Sequence, residues 1–344
     1  MFTKEIILRR IQSTKFYILI AVIAISTVIP LVAGDPFLIH VLTLMALFTI
    51  YASSWNLLAS SGQGSLGHAA FLGIGGFVSS LLAINLGIPP IIGIFMGSVF
   101  SAGIGFLIGL TCVRLKAWFL AMVTFGFSVI AETLVSQFDD VTHGILGFRT
   151  PRLVPSGLSF YYFAVLLATL SVIVIYFIMK SKIGLTFRAI HQNESESKMI
   201  GINTAKYKLY AFVISTFFAG LAGGLYAHFL RYINVSVFAA DNSFTPLMMS
   251  VIGGLGTIEG PIIGSIIIVA IESYLPIMDN LLDPVLGSLF PEVSFVGPYL
   301  RFLGLGVFLV VVVIFLPKGV SSLIPKIHNY FRAETKKANN IERK

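Results

Sequence analysis

Charge is what this sequence has least of. Only 11% of its 344 residues are Asp, Glu, Lys or Arg, and 56% are hydrophobic; soluble domains carry about 25% charged residues, so this chain cannot coat a water-facing surface. Cysteine is nearly missing too. Cys112 stands alone, which excludes an intrachain disulfide framework and a cysteine metal cluster, and reads as a small apolar residue near a helix end. No Gly-x-x-x-x-Gly-Lys-Ser/Thr loop occurs, so the chain has no P-loop for ATP, and HExxH, Cys-pair and nucleophile-elbow motifs are absent as well. A membrane enzyme needs an activated nucleophile or a metal cluster, and neither is visible. There is no low-complexity tract.

What fills the sequence is long apolar runs. A hydrocarbon core of ~30 Å takes about 20 apolar residues in a helix. Lipid offers the backbone no partners, so unalternating runs read as helices rather than barrel strands. Ten runs qualify: Phe16–Ala33, Phe37–Ser60, His68–Leu86, Pro90–Val113, Ala117–Phe138, Tyr161–Met179, Leu209–Leu230, Phe244–Thr257, Pro261–Leu275 and Tyr299–Pro317. Phe16–Ala33 follows a basic stretch but exceeds a signal-peptide core and lacks a good cleavage site, so it is expected to be a retained anchor. Phe244–Thr257 and Pro261–Leu275 are short and flank Gly253, Gly254, Gly256 and Gly260. They read either as two tilted or broken helices or as one long helix with a re-entrant piece. The expected fold class is all-α, a polytopic integral membrane helical bundle of about ten spans, or as few as about eight.

A net charge of +8 suggests nucleic acid in a soluble protein, but here the placement of charge decides. With the N-terminus inside, all of the 23 Lys and Arg residues except Arg149, Arg152, Arg231 and Arg301 fall on the inner side. Positive residues are retained in the cytoplasm, so both termini are expected there, with no nucleic-acid partner. The expected divisions are a cytoplasmic segment 1–15, a transmembrane domain 16–317 with an inner loop at 180–208, and a basic cytoplasmic tail 318–344. Phe2, Ile6, Leu8 and Ile11 beside Arg9 and Arg10 suit a surface on anionic lipid. Outer loops are expected at Asp139–Ser159 and Pro276–Pro298, the second with a short surface helix.

The inner loop holds the clearest local signal. Asn193 is placed to cap a helix while Glu196, three residues on, returns the bond, and Gly201 supplies the stop. The product is a helix of about two turns, too short to stand alone in water. It reads either as a docking surface for a cytoplasmic partner or as a connector on lipid headgroups. Gln63 and His68 lie in a glycine-rich break, Ser61–His68, near the inner boundary; polar groups there either line a pathway or bond a neighbouring helix. Glu132, Glu259 and Glu272 are the acids within spans, each expensive at mid-membrane. Glu132 and Glu272 sit late in their helices, within reach of an interface, whereas Glu259 lies in the second glycine-rich break. Gly105/Gly109, Gly220/Gly224, Gly256/Gly260 and Gly260/Gly264 have the spacing that lets helix backbones approach. Residues 64–76 laid on 253–265 agree at five of thirteen positions, as two parallel repeats would, and interrupted helices in matching halves point to a transport pathway.

Several stretches together carry a family resemblance: Gly62–Gly75, Arg188–Glu194, Met199–Asn203, Tyr207–Phe212, Phe218–Gly223, Tyr226–His228 and Gly253–Thr257 with Gly260 and Pro261. They resemble the permease subunits of branched-chain amino-acid ABC importers, specifically the M-type member of the high-affinity leucine/isoleucine/valine pair. The resemblance implies a subunit without its own ATP site in a prokaryotic cytoplasmic membrane. It further implies a paralogous H-type permease, two cytoplasmic ATPases that bind the ATP, an extracytoplasmic binding protein, and alternating access. By the same resemblance Arg188, Asn193, Glu194, Glu196 and Gly201 form or frame the helix that couples to an ATPase, while Gln63, His68 and Glu259 are candidates for the pathway. No metal or bound cofactor is expected in this chain. Two departures stand out: residues 194–201 miss the general importer-permease signature, and His143 stands where the family has glycine. Urea and short-amide permeases share the architecture. An ion-coupled carrier needs paired mid-membrane carboxylates, for which Glu259 alone is available, and a non-transporting scaffold leaves His68, Gln63 and the capped helix without a role.

Overall fold

The computed structural model describes residues 30, 34–115, 117–289, 297–317 and 319–322. The expected span Phe16–Ala33, except Pro30, lies outside them, as do 1–15 and all of the tail except 319–322. Twelve α-helices occur among the described residues: α1 Pro36–Ala59, α2 His68–Asn85, α3 Pro90–Cys112, α4 Ala117–Gln137, α5 Asp139–Thr142, α6 Gly157–Lys180, α7 Lys182–Gln192, α8 Glu194–Met199, α9 Thr204–Leu230, α10 Ala240–Gly253, α11 Glu259–Leu289 and α12 Gly297–Phe315. Among the same residues there is no strand, only one antiparallel bridge between Phe148 and Ile233. Six of the helices, namely α1, α2, α3, α4, α6 and α9, are long and apolar enough to cross a membrane. This is an all-α arrangement of membrane-length helices.

The bundle is built around α9, which packs on α2, α3 and α1. In lipid, helices gain little from hiding apolar surface from one another, so close backbone contact and interhelical hydrogen bonds hold them. The glycines supply that contact. A Cβ on Gly75 of α2 would strike the Gly220 backbone, one on Gly223 the Leu72 carbonyl, and one on Gly105 of α3 the Thr216 side chain. Gly109 faces Leu209 and Phe212 in the same way. Hence Gly105/Gly109 and Gly220/Gly224 work as packing faces, but Gly256 does not: its φ of +71° puts it in a turn. Gly223→Val is expected to destabilise the bundle by about 1–3 kcal/mol, read as a lower melting temperature in detergent, whereas Gly103→Val, with open space at its Cβ, is expected to change little.

After α9 the chain turns back into the bundle. Ile233 and Phe148 exchange backbone hydrogen bonds of 3.1 and 3.0 Å, Phe238 lies against Gly73, and Ser128 Oγ of α4 donates to the Phe238 carbonyl at 3.0 Å. Irregular backbone at such depth survives only when protein covers it, and Ile233, Val237 and Phe238 are all buried. So α10 begins beside the first turn of α2, where the Ala69 N–H donates to Ser243 Oγ at 3.0 Å. Its 14 residues rise about 21 Å, which accounts for the short apolar run there.

Pro276–Pro298 was expected as a loop with a short surface helix; instead α11 runs on through Leu289, 31 residues in all. A proline removes one helical hydrogen bond and crowds one carbonyl, and membrane helices absorb that through neighbouring groups. Three of the arginines expected outside share one end: the Thr150 N–H donates to the Arg231 carbonyl, joining the segments of Arg149, Arg152 and Arg231. Lys180, Lys182, Arg188, Lys198 and Lys208 gather around α7, α8 and the start of α9 at the other.

Candidate functional site

The basic end is built by a chain of short elements. Ser181 ends α6 and caps α7, its Oγ accepting from the Ile183 N–H at 3.2 Å. Gly184 then sits so close to Met179 that a side chain there would overlap its backbone. Buried Gly184, Phe187 and Ile190 form the inner face of α7. The sequence reading had no helix over 182–192, although the Ser181 cap and the spacing of Ile183, Phe187 and Ile190 signal one.

Asn193 joins α7 to α8. Its N–H donates to the Ala189 carbonyl at 3.0 Å, closing α7, and its Oδ1 accepts from the Ser195 and Glu196 N–H groups at 3.0 and 3.2 Å, opening α8. With that N–H already used, Glu196 cannot complete a capping box as expected; its carboxylate accepts from Asn193 Nδ2 instead, at 2.6 Å. At the far end Gly201 adopts a φ of +86°. The Ile202 N–H donates to the Ser197 carbonyl and the Gly201 N–H to the Lys198 carbonyl, both at 3.0 Å, the paired bonds of a Schellman stop.

Glu194 ties this stub to the bundle. It pairs with Lys198 at 2.9 Å and with Lys208 of α9, and accepts from Thr204 Oγ1 at 3.2 Å. Burial pushes its carboxyl upward, but hydrogen bonds from Lys208 and Lys198 and their charges outweigh that and hold it below the ordinary carboxylate value. Lys208 is only 5% exposed. By contrast Met199 is 84% and Ile200 76% exposed, so the tip of α8 presents bare apolar side chains. Arg188 is exposed and donates to the Met179 carbonyl at 2.5 Å.

Above this end lies the loop between α1 and α2. Gln63 is buried, its Nε2 donating to Ser61 Oγ at 2.9 Å and to the Lys208 carbonyl at 2.8 Å. Trp55 Nε1 donates to the Ser65 carbonyl at 2.8 Å. His68 is fully enclosed, with Nε2 3.0 Å from Ser54 Oγ and 3.3 Å from Ser215 Oγ. Those hydroxyls spend their hydrogens on the Tyr51 and Ser54 carbonyls, so the imidazole proton sits on Nε2. His68 thus bonds two neighbouring helices. A cleft of about 600 Å³ opens beside Gln63 and Arg188.

The second break, 254–258, meets the end of α1. Asn56 Nδ2 donates to the Thr257 carbonyl at 2.6 Å, and its Oδ1 accepts from the Gly256 N–H at 2.9 Å. One buried side chain therefore satisfies both backbone groups of the turn. Sequence reasoning missed Asn56; its signal was an amide inside an apolar run. Glu259 opens α11 half-buried, apart from Gln63 and His68 in a different element, while Glu132 and Glu272 are half-buried in α4 and α11.

Residues 37–315 match the family described as branched-chain amino acid transport system / permease component. The chain belongs to that family. Within it, the chain is 27% identical over 262 residues to the high-affinity branched-chain amino acid transport system permease protein LivM of Salmonella typhimurium, covering 67% of this chain and 62% of that protein. A probable branched-chain amino acid transport permease protein LivM of Methanocaldococcus jannaschii is 24% identical over 263 residues, 72% of this chain and 73% of the relative. The probable LivH protein of the same organism is 26% identical over 223 residues, 59% and 68%. The alignment thus spans less than two thirds of the enterobacterial relative's length. No solved structure matches the chain.

Family membership and the six apolar helices make this a multi-pass membrane protein. His143 ends α5 with a φ of +52°, a left-handed conformation that glycine adopts without strain.

Proposed function

We propose that the chain is the transmembrane permease subunit of an ATP-driven importer for branched-chain or related hydrophobic amino acids in a prokaryotic cytoplasmic membrane. It has about ten spans, or as few as about eight, and both termini in the cytoplasm. An H-type permease completes the pore, two cytoplasmic ATPases bind and hydrolyse ATP, and an extracytoplasmic protein delivers substrate. The observation that carries this reading is α8: a stub closed at both ends, tied by Glu194 to Lys208 on the central helix, and bearing the uncovered side chains of Met199 and Ile200. Such a stub suits the groove of a separate motor protein. Force on α8 passes through Glu194 into α9, and α9 shifts against α2 and α3 to alternate access to the pathway.

Reconstitution tests it. The permease pair with ATPases and binding protein in sealed vesicles is expected to accumulate leucine only with ATP, and to lose uptake when any one component is left out. Accumulation by this chain alone, without nucleotide or companions, would overturn the reading.

A further inference from the structure

The cleft at the basic end is lined by three kinds of group. Arg188 and His191, one turn apart on α7, bring N–H donors, and among the described residues neither is in an ion pair. Gln63 brings an acceptor: its amide nitrogen is fixed by the Lys208 carbonyl, which only accepts, and its Oε1 has no donor although the side chain is 97% buried. Both α1 and α7 end at this cleft, so the negative ends of two helix dipoles face it and favour a cation. Trp55, whose N–H is spent on Ser65, adds an aromatic surface beside Ala59 and Leu255.

A donor pair for an anion, acceptors for a cation and an apolar wall are what a zwitterion with an aliphatic side chain requires. The volume lies within the range of about 300–1,000 Å³ usual for small-ligand sites. We propose that this cleft is a product-side site for a free aliphatic α-amino acid, with its carboxylate on Arg188 and His191 and its ammonium toward Gln63 and the helix ends. The proposal rests on the importer reading for its sidedness and its ligand. α7, the α1–α2 loop and the 254–258 break each form one wall of it.

Trp55 and Trp118 are the only tryptophans, so Trp118→Phe leaves Trp55 as a reporter in the full chain in nanodiscs. Leucine is expected to change its emission saturably, with an affinity about tenfold above that of isocaproate, which lacks the ammonium, or isoamylamine, which lacks the carboxylate. Arg188→Gln is expected to abolish the advantage of leucine over isoamylamine. An unsaturable response, equal affinities for the three ligands in the parent, or an undiminished leucine response in Arg188→Gln each overturns the proposal. The importer reading is judged separately by ATP-driven uptake of the assembled complex, so a silent Trp55 beside normal uptake sinks this site alone.

Discussion

Glu194→Gln is expected to cut ATP-driven leucine uptake about tenfold or more while the chain still inserts into the membrane. The exchange leaves the shape of the side chain but removes the charge that faces Lys208, a lysine 5% exposed. Removing one partner of a fully buried pair costs about 3–5 kcal/mol. Here the Glu194 side chain is 36% exposed and water screens part of the loss, so about 1–3 kcal/mol is expected. That suffices to detach a six-residue helix that cannot persist unaided, but not to unfold the glycine-packed bundle.

The double exchange Glu194→Lys with Glu196→Lys goes further. It gathers cations at the positive end of α8, removes the acceptor for Asn193 Nδ2, and is expected to abolish uptake. Protease accessibility checks insertion and labelled leucine checks transport; wild-type uptake in the double variant would sink the coupling role. The pH dependence follows in sign. The Glu194 carboxyl is held below its unfolded value, so its tie to Lys208 is complete above the ordinary carboxylate range and is lost as pH falls through the lowered folded value. Uptake is therefore expected to be insensitive to this group near neutrality and to lose it only in acid.

Asn56→Asp is expected to be more damaging than Asn56→Ala. Alanine takes the partner from the Gly256 N–H and the Thr257 carbonyl; Gly256 is exposed and Thr257 half-buried, so water replaces part of each bond and about 0.5–1.5 kcal/mol each is expected. Aspartate keeps the bond to Gly256 but turns a lone pair toward the Thr257 carbonyl, replacing attraction by repulsion between acceptors and burying a charge. Since 254–258 connects α10 to α11, either change is expected to loosen this end of the bundle, visible as faster hydrogen exchange over 254–258 and reduced uptake. If Asp and Ala behave alike, the two-bond clamp is not what holds the turn.

The apolar runs at α1, α2, α3 and α4 match the fold to within one residue, and those at α6 and α9 begin four and five residues inside the observed helices, because a helix in lipid must satisfy its own backbone and length and hydropathy suffice to specify it. The stub at 194–199 was equally legible, since Asn193 and Gly201 act within a few residues of themselves. Reading failed where one group was claimed twice: Glu196 lost its expected partner because the Asn193 N–H already served α7. It also failed over 276–289, where a loop was expected and α11 continued, and over 182–192, where a helix cap sat unread inside a basic stretch.

Composition and periodicity by themselves determined that this chain is a bundle of membrane-length helices with a capped projection at its basic end, since hydropathy and capping are local properties. Only the tertiary structure decided that residues 231–239 descend to shorten α10, that Asn56 clamps a turn 200 residues away, and that Gln63, Arg188 and Trp55 share one cleft. Those facts depend on which glycine faces meet and on which buried donor finds which acceptor, and contacts between residues far apart in sequence leave no period in the chain.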